Sequence, residues 1–279
     1  MSIPVVDFGA YSLSEEDVTD EQMRHLSQEL KAAFTEVGFV FLRNTGITRE
    51  EVDRVMDASK KFFLQPDELK QPFSRKSFAN NANHGWVSLE TERLNPRRPG
   101  DLKEAFNTAS LHPDIKWPSG ALADFEEIQK SFFLRSDKNG TTLRSLYYPP
   151  VNSDKAKEGQ LRCGEHSDYG TITLLFQNSE GLQVHSRSGE FICAPSIPEA
   201  VLINIADLLQ RWTSDQLISV VHRVLLPPAG DSRTRQSVAF FVQPDDEALI
   251  TCCDGSNKYP PVTAGDYLIE RFSESYVRT

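Results

Sequence analysis

His166 and Asp168 stand two residues apart in the stretch 161–176. On an extended strand, residues i and i+2 share a face, so an imidazole and a carboxylate there would address the same point. Such a pair can grip one metal ion. A second imidazole, His222, comes from the apolar, β-branched run 220–225, which also reads as a strand. Two imidazoles and one carboxylate make a facial ligand set that suits non-haem Fe(II) and leaves coordination positions open for substrate and oxygen. Arg235 and Ser237 open a further strand-like run ending at Val242. On one face of that strand they present a guanidinium and a hydroxyl together, a pair fitted to hold a carboxylate.

The chain also carries a decoy. His112 and Asp114 have the same spacing as His166 and Asp168, but Pro113 lies between them in a turn-like stretch, and proline cannot sit in a central strand. No Arg-x-Ser follows the imidazole that would complete that set. The 166/168/222 set is therefore preferred over the competing reading of its members as ordinary hydrogen-bonded surface residues. The competing role for Arg235 is a surface ion pair, since Arg233 lies beside it in the same polar stretch and could do the same. His185 and His84 read as solvent-facing or mobile-loop residues rather than ligands.

With 279 residues and 39% hydrophobic content the chain can bury a sizeable core, and one large unit is expected. The net charge of −10, with no basic run longer than a pair such as Arg97-Arg98, points away from nucleic acid. No window approaches the roughly 20 apolar residues of a membrane span, and no basic, apolar leader opens the chain, so a cytoplasmic protein with no membrane partner is expected. Cys163, Cys193, Cys252 and Cys253 have neither metal-finger nor disulfide-framework spacing and read as buried free thiols in a reduced compartment.

Several elements must position these residues. A strand is expected over 3–8. A helix opens at the capping box Thr19-x-x-Gln22 and stops at Gly38. A strand over 39–42 and a second capped helix, from Thr48-x-x-Glu51 to Gln65-Pro66, come next. From Ser74 to Pro118 periodicity fades, and such an irregular stretch is expected to form part of a substrate entrance. A short helix is expected from Asp124, then a strand over 141–148 ended by Pro149 and Pro150. The second half is β-rich, with short strands over 171–176, 182–185, 190–194, 200–205, 220–225 and 237–242, and a helical tail from Gly265. Closely spaced short strands indicate a sandwich or barrel. The expected fold is α+β with a mainly β core, a double-stranded β-helix (jelly roll) flanked by N-terminal helices and a C-terminal helix. Residues 1–118 would form a helix-and-strand region packing on a core of residues 119–279, the two making one structural unit. Phe240, Phe241 and the C-terminal helix are candidate pocket walls.

These residues together resemble the isopenicillin N synthase-like branch of the Fe(II)/2-oxoglutarate-dependent dioxygenases. The likeness runs through Ile3-Pro-Val-Val-Asp-Phe8, the block from Ala33 to Ile47, Leu102-Lys-Glu-Ala-Phe106, Tyr147-Tyr148-Pro-Pro150, the His-x-Asp…His set and Arg-x-Ser. It implies that His166, Asp168 and His222 ligate Fe(II) and carry the catalysis. It further implies that Arg235 and Ser237 hold the distal carboxylate of 2-oxoglutarate, and that Tyr148 helps at the same end. The implied reaction consumes O2 and 2-oxoglutarate, releases succinate and CO2, and oxidises a small organic molecule, with hydroxylation the expected outcome. Two departures stand out. Leu146 occupies a position where the family usually has Asn, and the section between Trp117 and Leu143 is shorter than in relatives. Two alternatives follow: a direct Fe(II) oxidase that does not use 2-oxoglutarate, and a catalytically silent metal-binding or scaffold protein. The primary substrate and the oligomeric state are not written in the sequence.

Overall fold

The structure, a computed structural model, describes residues 2–13, 18–75, 83–109, 118 and 140–275. The decoy His112-Pro113-Asp114, the helix expected from Asp124 and most of the shortened section between Trp117 and Leu143 lie outside these residues. Strand β1 (Val5–Asp7) leads to helix α1 (Asp20–Glu36), β2 (Phe39–Arg43), α2 (Arg49–Phe63) and the short α3 (Asp67–Lys70). Both expected capping boxes form, with the Thr19 and Thr48 hydroxyls accepting from the N–H groups of Gln22 and Glu51. Helix α1 ends where Gly38 adopts φ +75°, a left-handed conformation open to glycine, and a Cβ there would lie 2.6 Å from the Ile218 carbonyl oxygen.

Strands β3 (Gly85–Val87), β4 (Glu104–Thr108), β5 (Thr142–Tyr148), β6 (Cys163–His166), β7 (Ile172–Gln177), β8 (Leu182–His185), β9 (Phe191–Cys193) and β10 (Ala200–Ile205) come next. Helix α4 (Asp207–Trp212), β11 (His222–Val224), β12 (Arg235–Val242), the small pair β13 (Leu249–Ile250) and β14 (Val262–Thr263), and α5 (Ala264–Ser275) complete the described chain. An eight-stranded sheet runs β1-β2-β10-β7-β12-β5-β4-β3 and a four-stranded sheet runs β6-β11-β8-β9. Together they make the jelly roll expected from the sequence.

Strand alternation sorts the core into layers. Phe39, Phe41, Leu146, Tyr148, Leu202 and Ala239 turn inward to meet Leu182, Val184 and Val224 of the smaller sheet. Their neighbours turn outward: Val40, Leu42, Val201 and Ile203 pack on α1, while Leu143, Tyr147 and Val238 pack on α2. Each large apolar side chain so buried contributes roughly 2 kcal/mol. The sheet thus carries a helix layer on one face and the cavity on the other.

The expectation of an irregular 74–118 segment needs correction, because β3 and β4 lie within it and pair with the edge of the large sheet. The charge on β4 is paired inside the protein: Glu104 accepts from Lys70 Nζ (2.6 Å) and Trp86 Nε1 (2.7 Å). A strand buried on both faces with charges paired inside shows no alternation to read. Strands from residues 1–118 therefore join the sheet that also holds β5, β7, β10 and β12. The cysteine expectation is half right: Cys163 and Cys252 are buried, but Cys193 and Cys253 are exposed, and all four are free.

Candidate active site

Cross-strand register brings the two imidazoles together, since His222 on β11 pairs directly with His166 on β6. Their ring centroids lie 4.3 Å apart. Asp168 follows the end of β6, so it arrives through the turn after the strand rather than by the pleat alone. Its Oδ1 nevertheless lies 3.8 Å from His166 Nε2 and 3.6 Å from His222 Nε2. One donor atom from each residue falls within 4.8 Å of the others, a spread that a single metal ion can span.

Each member is held from behind. His166 Nδ1 lies 2.8 Å from the Gly164 carbonyl oxygen and His222 Nδ1 lies 3.1 Å from that of Val220. A carbonyl accepts only from a protonated nitrogen, so in the neutral tautomer this contact favours, Nε2 carries the lone pair on the side of Asp168. Asp168 Oδ2 accepts from Thr173 Oγ1 (2.6 Å) and Asn204 Nδ2 (2.7 Å), which leaves Oδ1 for the centre. Burial pushes the Asp168 carboxyl up, but the two imidazoles and these hydrogen bonds outweigh it and hold the group below the usual range. Burial, helped by His166, lowers the His222 imidazole to about 4, although Asp168 opposes the shift. A neutral imidazole beside a carboxylate is the protonation state a divalent metal requires.

Thr173 and Asn204 escaped the sequence reading, because a lone Thr or Asn on an apolar strand gives no motif. Glu165 escaped it too. It accepts from Arg98 (Nε, 2.5 Å), Arg223 (Nη1, 3.0 Å) and Asn95 (Nδ2, 3.0 Å), and so clamps β6 to β11 beside the two imidazoles. Its burial is outweighed by these partners, which lower the carboxyl to about 2.

Arg235 lies deep in the same cavity and is 1% exposed. Its Nη2 donates to Gln177 Oε1 (2.7 Å), its Nη1 lies 3.3 Å from Ser237 Oγ, and its guanidinium carbon sits 4.7 Å from the Tyr148 ring centroid. Its Nε is buried without a hydrogen-bond partner among the described residues, a donor left for an anion. Arg233 is instead exposed and paired with Asp231 at 2.7 Å, and it does not line the cavity. Leu146 is buried in the cavity wall, where an Asn would have supplied a polar contact.

The cavity, mouth included, measures about 1010 Å³. Phe241, Leu268 and Phe272 line it, as do Asn83, Glu92 and Asn107 from the 74–118 segment. Phe240 does not line it, because its position on β12 turns it outward against α2. His84 also corrects its expectation: it is fully buried, its ring packs edge-on against Phe106 at 5.6 Å, and burial lowers its pKa to about 4. His185 is exposed and lies 5.0 Å from the Phe191 ring.

Comparison with known proteins agrees with this geometry. Residues 3–126 match the family described as non-haem dioxygenase in morphine synthesis N-terminal, and residues 139–244 match the 2OG-Fe(II) oxygenase superfamily. A UPF0676 protein of Schizosaccharomyces pombe is 31% identical over 298 residues, covering 93% of this chain and 91% of its own. A 2-oxoglutarate-dependent dioxygenase of Aspergillus rugulosus is 29% identical over 301 residues, covering 90% of each chain. Both alignments are longer than this chain of 279 residues, so these relatives carry positions that it lacks. Among solved structures, a full-length Neurospora crassa protein in complex with alpha-KG and thymine superposes with a TM-score of 0.84 at 30% identity, covering 98% of this chain and 96% of that one. The fold, the clustered imidazoles and carboxylate, and these matches over nearly the whole length make the chain a member of the 2-oxoglutarate–Fe(II) oxygenase superfamily, in its isopenicillin N synthase-like branch.

Proposed function

We propose that the protein hydroxylates a small organic molecule, with His166 Nε2, Asp168 Oδ1 and His222 Nε2 as the Fe(II) ligands and Arg235, Ser237 and Tyr148 as the seat of the distal carboxylate of 2-oxoglutarate. The observation that carries this reading is the convergence of the three ligand atoms within 4.8 Å, in one cavity with a buried guanidinium whose Nε has no partner among the described residues. The donor set fits Fe(II). When bound, the metal and 2-oxoglutarate supply the oxidising chemistry: O2 and 2-oxoglutarate are consumed, succinate and CO2 released, and one oxygen atom enters a substrate C–H bond.

The chain's own residues position and shield. The Gly164 and Val220 carbonyls hold the imidazole tautomers, while Thr173 and Asn204 occupy the outer oxygen of Asp168 and keep the inner one directed at the centre. Arg235 supplies a fixed positive charge in a dry setting, where a carboxylate is bound more strongly than in water. Phe241, Leu268 and Phe272 cover the other side and restrict water.

Residues 1–118 and 119–279 act as one unit in this reading, because a single sheet takes strands from both. No described helix is long and apolar enough to cross a membrane, which is compatible with a cytoplasmic location. The test is anaerobic titration of the Fe(II)-loaded protein with 2-oxoglutarate. The weak visible charge-transfer band of the chelate is expected in the wild type and should weaken in Arg235→Ala. Stoichiometric iron without a band would overturn the reading in favour of a direct oxidase or a silent metal-binding protein.

A further inference from the structure

At the end of the cavity away from Arg235, four groups form a hydrogen-bond relay whose direction is fixed by its anchor. The Gly140 carbonyl can only accept, so the Thr142 hydroxyl donates to it (2.9 Å). Thr142 Oγ1 must then accept from Asn83, whose Nδ2 lies 2.8 Å away. That turns Asn83 Oδ1 toward Asn107, and Asn107 Nδ2 donates to it (3.0 Å). The orientation of both carboxamides follows from a backbone carbonyl and not from an arbitrary amide flip. The relay ends on Asn107 Oδ1, an acceptor that is buried and has no hydrogen-bond partner among the described residues. Asn107 is 1% exposed and lines the cavity. An unfilled acceptor in such a place is a standing demand for an N–H or O–H donor.

A second amide stands at the same end. Gln243 follows β12, and its backbone N–H donates to Thr141 Oγ1 (3.1 Å), between the two residues that anchor the relay. Its side chain also lines the cavity and forms no hydrogen bond with the described residues. One amide therefore lacks a donor, while the other offers both an N–H and a carbonyl. This pair complements a ligand edge on which an N–H adjoins a C=O.

We propose that Asn107 is a specificity-determining residue that reads an N–H on the substrate, and that the substrate is a compact cyclic amide or imide whose N–H meets Asn107 and whose carbonyl meets Gln243. The assignment rests on the oxygenase reading of the cavity and deepens it. Thr142 acts one step removed: by holding the relay's direction it keeps Asn107 an acceptor toward the ligand.

The test uses matched pairs that differ only at the nitrogen: thymine against N,N-dimethylthymine, and pyrrolidone against N-methylpyrrolidone. The readout is the rate of 2-oxoglutarate decarboxylation that each compound stimulates in the Fe(II)-loaded protein. Leaving a buried acceptor unfilled disfavours the methylated member by roughly 10- to 100-fold in the wild type. In Asn107→Leu, and in the near-isosteric Thr142→Val, which frees the amides to turn over, that ratio is expected to fall toward unity. Thr142→Val keeps the test decisive if Asn107→Leu fails to fold. Equal stimulation by both members, no stimulation by any, or a ratio unchanged in the variants would overturn the assignment. A lowered melting temperature with an unchanged ratio would show that a bound water fills Asn107, and would overturn it too. Failure of the oxygenase reading is separable, because the wild type would then show no chelate band with 2-oxoglutarate alone.

Discussion

Strand β12 carries both ends of the cavity, with Arg235 at its start and Gln243 just past its finish, and the two ends are built on different principles. The Arg235 end is ionic and closed, its guanidinium buried against Tyr148, Ser237 and Gln177. The Gln243 end presents neutral carboxamides together with Leu268 and Phe272 from α5, and the charges that also line the cavity, Arg144, Lys103 and Glu92, are paired with one another. An ionic end binds one charge type strongly whatever else the ligand carries, which suits a co-substrate that is the same in every turnover. A neutral amide end discriminates by the direction of its hydrogen bonds, which suits choice among substrates. The metal-ligand candidates lie in the same cavity and are indifferent to either choice.

The largest effect should come from removing what both ends depend on. Asp168→Ala should take iron content from stoichiometric to trace, exceeding the roughly 10- to 100-fold weakening typical when only a residue behind a ligand is lost; metal analysis after desalting decides it. Retained iron and activity would break the assignment of the centre. Arg235→Ala should raise the Kd for 2-oxoglutarate about 100-fold, the scale of a truncated buried charge contact, while leaving iron content unchanged. An equal effect from a substitution at Gln243 would erase the contrast between the ends.

Acid should separate the ends as well. His84 adjoins Asn83 of the relay, and its pKa of about 4 lies below the ordinary value of 6.5. The unfolded chain therefore takes up the proton first. Stability conferred by the neutral ring is full above pH 6.5, is lost as pH falls toward about 4, and falls no further below that. The loss should be about 3 kcal/mol. Urea unfolding of the wild type and His84→Phe across this range should show a slope in the first that is shallower in the second; identical slopes would remove His84 from the account. The smallest effect should come from Thr173→Val, which deletes one of the two hydrogen bonds on Asp168 Oδ2 and should weaken iron binding about 10-fold with the Kd for 2-oxoglutarate little changed.

The contrast also governs what could be read without coordinates. His166, Asp168 and Arg235 were legible from their spacing and because few residue types bind metal or carboxylate, although Asp168 reaches the centre through the turn after β6 rather than by strand alternation. Both N-terminal helices were legible from their capping boxes and apolar stripes. Strands β3 and β4 were not, since Lys103 and Glu104 interrupt any apolar alternation and are paired with Asp101, Glu92 and Lys70 only inside the folded protein. Phe240 and Phe241 were indistinguishable by composition, and only the phase of β12 put one against α2 and the other in the cavity.

What the sequence determined alone was the local part: where helices start and stop, the period of the strands, and three short motifs whose residue types restrict the chemistry to metal and carboxylate binding. The tertiary structure decided everything that depends on partners distant in the chain. His222 meets His166 through strand register although β7 to β10 separate them along the chain. Asn204 fixes Asp168 from another sheet, and Asn107 becomes a reader of N–H groups through a relay anchored at Gly140. A hydrogen bond's direction is set by the groups at both of its ends, and folding alone brings those ends together.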